Sequence, residues 1–127
     1  VPYLNLDDNF AEHPKHDSLS DGAFRLLVAA LCYCAKHTTN GFVETSKMSR
    51  LVPRYKASQL RELMESHPER PDIIGVPGGY HVRDYLQWNK SADWWADKRA
   101  KDAKRMAEWR EKEAERKRLE QENEHGS

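Results

Sequence analysis

Lys47, Arg50, Arg54, Lys56 and Arg61 fall within the 17 residues from Thr45 to Arg61, and no acidic residue interrupts them. Cations at that density suit phosphate, because they displace the counterions condensed on a nucleic-acid backbone and hold a protein in register on it. Residues 1–24 are the reverse, with Asp7, Asp8, Glu12, Asp17 and Asp21 against Lys15 alone. The 127-residue chain has 21 Lys+Arg and 21 Asp+Glu, a net charge of zero. Neutrality excludes an indiscriminate basic coat for nucleic acid, but a local patch is what binding uses. The competing reading of five cations is a solvated face with no ligand.

Other reactive groups are present without the spacing that chemistry needs. Cys32, Cys34 and His37 invite a metal, yet on a helix the two thiols stand about 200° apart and cannot share one ion. Zinc also wants four ligands. His13 and His16 form a pair with no cysteine nearby. No Gly-rich phosphate loop, Ser-His-Asp set or Gly-x-Ser-x-Gly turn occurs. No carboxylate pair sits in an apolar setting. We therefore expect neither catalysis nor a cofactor nor a metal. Two cysteines in one helix form no disulfide framework, and the chain reads as cytoplasmic.

The elements that must position these cations follow from hydrophobic spacing. The chain is 38% hydrophobic and 33% charged, with a mean hydropathy of -0.97. This fits a small domain over 1–89 followed by a charged extension over 90–127. The longest apolar run, Leu26 to Ala35, has ten residues; a bilayer span needs about 20, so no membrane partner is expected. The N-terminus shows no basic-then-apolar signal pattern.

Tyr3, Leu4 and Leu6 suggest a short strand and a loop. Ser20 is an N-cap and Asp21 meets the positive end of the helix that follows. Phe24, Leu27, Val28, Leu31, Cys34 and Ala35 form its buried face, widened by Leu26, Ala30 and Tyr33. It ends near His37, before Thr39-Asn40-Gly41. Phe42-Val43 is short and apolar. Thr45 caps a brief helix, Ser46 to Val52, stopped by Pro53. A further helix spans Tyr55 to Ser66, with Ala57, Leu60, Leu63 and Met64 inward. Residues 73–76 and 80–85 then pair as a β-hairpin across Pro77-Gly78-Gly79.

Helix, short strand, short helix, helix and hairpin is the layout of a winged helix-turn-helix, mainly α with a small β-hairpin. In such folds the helix before the hairpin enters the DNA major groove. Its outward residues are then Lys56, Ser58, Gln59, Arg61, Glu62 and Glu65. Ser58 and Gln59, near the helix start, are the expected base readers, and Arg61 meets guanine or phosphate. Lys47, Arg50, Arg54 and Lys56 are assigned to phosphates, and Arg83 is the charge of the wing.

Several segments carry a family likeness. They are Leu6-Asp7-Asp8-Asn9-Phe10, His13-Pro14-Lys15, Leu19-Ser20-Asp21 with Phe24-Arg25-Leu26, Ala29-Ala30-Leu31-Cys32-Tyr33, Asn40-Gly41-Phe42-Val43, and Gly78-Gly79-Tyr80 leading to Asp84-Tyr85-Leu86. Over about residues 3–95 the chain resembles small winged-helix proteins of actinobacterial phages, distantly similar to the N-terminal domain of phage replication organisers. The resemblance implies a protein that binds double-stranded DNA in phage replication or transcription control, inside the bacterial host cell. The link Ser66 to Asp72 is longer and richer in proline than that family pattern, and the tail is not covered.

The tail from 90 to 127 holds 11 Lys+Arg and 10 Asp+Glu. It reads as one long helix starting near Ser91. Ala92, Ala96, Ala100, Ala103, Ala107 and Ala114 form a stripe of small residues beside Trp95, Met106 and Trp109. Such a helix suits a protein partner or weak homodimerisation, which gives the second functional reading, an interaction protein without a DNA role. Trp88 is expected to pack on the domain, and Trp94 and Trp95 to mark where the tail docks.

Overall fold

The computed structural model describes residues 3–125, apart from the side chains of Trp88 and His125. The elements are α1 (Pro14–Asp17), α2 (Asp21–His37), β1 (Phe42–Glu44), α3 (Thr45–Met48), α4 (Ala57–Met64), β2 (Ile73–Val76), β3 (Gly79–Val82), α5 (Tyr85–Trp88) and α6 (Ala92–His125). The chain divides after Ala92 into two compact units. Among the described residues, no helix is long and apolar enough to cross a membrane.

Helix α2 is the core of the first unit. The Ser20 side chain accepts from the Ala23 N–H and Asp21 sits in the first turn, so one orphan donor of the helix start is met as its sequence foretells. The fully buried stripe is Ala23, Leu26, Leu27, Ala30, Leu31, Cys34 and Ala35. Phe24 and Val28, expected at its centre, are only partly covered. Three of its members, Ala23, Ala30 and Ala35, are small. Thr38, Asn40 and Gly41 then turn the chain with positive φ.

The sheet has three strands, not the two of an isolated hairpin. Its order is β1-β3-β2, all antiparallel, with Val43 opposite Tyr80 and Gly75 opposite Tyr80 on the other side. The tight turn is Pro77-Gly78, with Gly78 at φ 84°. Proline sets the first corner and glycine takes the left-handed second one. Gly79 lies within β3, because a Cβ there would run into the carbonyl oxygen of Val43.

The N-terminal strand expected at Tyr3, Leu4 and Leu6 is absent. Tyr3 and Leu4 are adjacent, so their side chains do not alternate as a half-buried strand requires. The segment is instead held by the Asn5 N–H donating to Asn89 Oδ1 at 2.7 Å, and by Leu4 and Phe10 packing against the core. The brief helix is shorter than expected, ending at Met48 with Glu44 rather than Thr45 in the cap position. Thr45 has another use: its N–H and its hydroxyl both donate to the Gly78 carbonyl, at 3.2 Å each.

The long link before β2 is folded rather than open. Ser66 Oγ donates to the Leu63 carbonyl and accepts from the Asp72 N–H, and His67 Nδ1 accepts from the N–H groups of Glu69 and Arg70. Asp72, 4% exposed, takes Lys15 Nζ at 3.2 Å and His16 Nε2 at 3.1 Å on one carboxylate oxygen. This ties α1 to the link. A buried carboxylate of this kind is tolerated when paired.

Candidate nucleic-acid interface

The cations from 47 to 61 occupy α3, the turn after it and α4. Lys47, Arg50, Arg54, Lys56 and Arg61 are all exposed. Met48 and Val52, between them, are buried, which anchors the backbone and leaves the basic side chains in water. Among the described residues none of the five makes an ion pair. Their charge is therefore uncompensated and available to an anion.

Helix α4 is rotated from the expected facing. Leu60 and Leu63 are buried, but Ala57 and Met64, expected inward, are exposed, and Met64 is 36% exposed. Gln59 and Glu62, expected outward, turn towards the start of α2. Glu62 accepts from the Ser20 N–H at 2.7 Å and from the Ser20 hydroxyl at 2.9 Å. Gln59 Oε1 accepts from the Lys56 N–H at 3.0 Å, and its amide lies where a side chain on Gly22 would have to be. The cause is the capping need of two helices: Glu62 satisfies a donor at the α2 start and Gln59 one at the α4 start. Outward residues of α4 are thus Ala57, Ser58, Arg61, Met64 and Glu65, centred on Arg61.

This places the expected readers differently. Ser58 stands free on the outward face. Arg61 moves to its middle. Gln59 is occupied with backbone and helix packing. Arg83 lies beyond β3, at the end of the strand away from the turn, where its guanidinium donates to the Glu69 carbonyl at 3.1 Å and its N–H to the Asp72 carbonyl. The hairpin tip itself, Pro77-Gly78, carries no cation and is fastened by Thr45.

The thiols separate as the helical angle requires: Cys32 is exposed and Cys34 buried. Burial pushes the Cys34 thiol up from its ordinary value of 9.0, and its Sγ lies 3.8 Å from the Phe42 carbonyl as a weak donor. Burial, and then the neighbouring Cys34, push the Tyr85 phenol up to about 12. Both are neutral packing groups rather than reactive ones. Among the described residues no group of three His, Cys, Asp or Glu side chains is placed to hold a metal ion.

Sequence reasoning did not foresee the role of Glu62, which spans 42 residues to Ser20. The signal was available only in outline, as an acidic residue on a helix expected to face phosphate. Comparison with protein-family models, with curated proteins and with solved structures finds no match.

Proposed function

We propose that the first unit is a winged-helix module that binds double-stranded DNA through α3, the turn after it and α4, in phage replication or transcription control. The observation that carries this reading is the run of five exposed cations without an internal carboxylate partner. Support for the fold comes from the element order and from a third strand, β1, pairing beside the hairpin, the arrangement a winged helix uses. In this reading α4 lies in the major groove. Lys47, Arg50, Arg54 and Lys56 hold phosphates, and Arg61 and Ser58 reach base edges. Arginine is the side chain best matched to the two acceptors of guanine. Glu65, on the same face, repels phosphate and limits how deeply the helix end can enter. The wing tip carries no cation, and Arg83 is held away from it, its guanidinium donating to the Glu69 backbone carbonyl.

The test is fluorescence anisotropy of labelled duplexes with the full chain. Lys47→Ala, Arg50→Ala and Arg54→Ala should each weaken binding to all sequences alike and flatten the salt dependence by about one unit per lost contact. Binding that ignores all three replacements would transfer the role to a protein partner.

A further inference from the structure

Trp109 stands 57% exposed in the middle of α6. Residues at spacings of four, three and four run away from it in both directions: Arg105, Asp102 and Lys98 on one side, Glu113, Arg116 and Glu120 on the other. At about 100° per residue all seven share one stripe of the helix, roughly 80° wide. The signs along that stripe are plus, minus, plus, Trp109, minus, plus, minus. Each triple is held together within the chain. Asp102 bridges Lys98 and Arg105, and Arg116 bridges Glu113 and Glu120. One cluster is therefore net positive and the other net negative.

This stripe is complementary to itself when reversed. A two-fold axis through Trp109, perpendicular to the helix, sets Lys98 against Glu120 of a second copy, Asp102 against Arg116, and Arg105 against Glu113. Every facing pair is of opposite sign. A parallel pairing in register sets each of the six charges against its like. We propose that α6 pairs antiparallel with α6 of a second copy, with the two-fold axis at Trp109. The apolar contribution is Trp109 against its own symmetry mate, an aromatic contact of the kind that favours offset or edge geometry, with Met106 beside it, 49% exposed. Charge sets the direction: opposed like charges exclude the in-register parallel dimer, and a parallel pair staggered by one turn is not closed and would add further copies. The alanine stripe lies about 140° round the helix from Trp109 and takes no part. Without a leucine seam the pairing is weak.

Sedimentation equilibrium of the full chain tests this. The mass should rise with concentration from one chain towards two, and less so at high salt. Asp102→Arg alone and Arg116→Asp alone should each weaken the dimer by about tenfold, since each sets two like-charged pairs across the axis. The double variant Asp102→Arg/Arg116→Asp should restore the dimer to wild-type strength or better, because every facing pair is opposite again. Far-UV circular dichroism of each variant checks that the helix is retained. A single-chain mass at every concentration, a mass beyond two chains, or a double variant no stronger than the single ones would overturn the proposal.

Discussion

The basic segment of the first unit and helix α6 hold the same kinds of charge and use them in opposite ways. From Thr45 to Arg61 there are five cations, no acid and no ion pair. In α6 four cations are answered by carboxylates three or four residues away: Lys98 and Arg105 by Asp102, Lys101 by Asp97, Arg116 by Glu113 and Glu120. The other six form no ion pair among the described residues, but the helix as a whole carries ten Asp+Glu for its ten Lys+Arg. The difference shows in the acids. Hydrogen bonds from Lys98 and then Arg105 hold the Asp102 carboxyl below its ordinary value, and the Arg116 guanidinium does the same for Glu113. A census of Lys and Arg does not separate the two regions, with 5 in the 17 residues from Thr45 to Arg61 and 11 in the 38 from 90 to 127. What marks a phosphate site is charge left over after the chain's own partners are counted.

The sharpest way to separate the two regions is to unfold one of them. Leu63 is fully buried beneath α4 and belongs to the core around α2. Leu63→Ala should destabilise the first unit by about 2–5 kcal/mol. A denaturant melt followed by near-UV circular dichroism should show it, and a loss below about 1 kcal/mol would mean that α4 is not packed through that residue.

A second contrast lies within α4. Arg61→Ala should cost about 1–3 kcal/mol of discrimination at one base pair. Gln59→Ala should leave discrimination intact and lower stability instead, because its side chain caps the Lys56 N–H. Competition binding with single-base variants of a selected duplex distinguishes the two. If Gln59→Ala alters base preference, the outward face is not centred on Arg61.

That contrast also shows where the sequence was readable. The α2 boundaries were, because Ser20 and Asp21 are local start signals and the 3.6-residue period runs through 17 residues. The hairpin turn was, because proline and glycine mark its corner, but the second strand stops at Val82 and Tyr85, expected within it, opens α5. The facing of α4 was not. Leu60 and Leu63 fix the middle of its buried stripe but not which flank goes inward. A bond from Glu62 to Ser20, distant in sequence, decides that. Strand β1 has three residues, too few to show alternation, and its pairing with β3 rests on Gly79 admitting the Val43 carbonyl. The five phosphate candidates were legible because the absence of nearby acids is itself a sequence property. The position of Arg83 depended on how the link from Ser66 to Asp72 folds, which no local pattern encodes.

The two units should also fail at opposite ends of the pH scale. In the first, Cys34 and Tyr85 are pushed up from ordinary values of 9.0 and 10.0. Above pH 9 the unfolded chain loses these protons while the folded unit keeps them, so stability falls as pH rises. The melting temperature should hold up to about pH 9 and drop by roughly 5 °C or more by pH 10.5. In Cys34→Ala the decline should begin later. In the tail, Asp102 and Glu113 are held below their usual values of 3.8 and 4.5. Their support is present above that range and is lost as pH falls through the lowered values. Helicity of the tail that rises with pH between 2 and 5 would agree; a flat profile there would not.

The smallest expected effect comes from the tail's surface pairs. Lys101, 74% exposed against Asp97, lies in the screened regime of surface ion pairs. Lys101→Ala should leave both the melting temperature of the first unit and its affinity for DNA unchanged within error. Loss of DNA affinity in this variant, at fixed salt, would show that the tail's cations are less compensated than their pairing implies.

In the proposed function, uncompensated charge between Lys47 and Arg61 binds duplex DNA. This is tested most directly by measuring affinity for one duplex across a series of salt concentrations, for the full chain and for Arg50→Ala/Arg54→Ala. A straight line of log K against log salt with a slope of about −4, flattened by about two units in the double variant, is the predicted result. A slope near zero, or the same slope in both proteins, would contradict it.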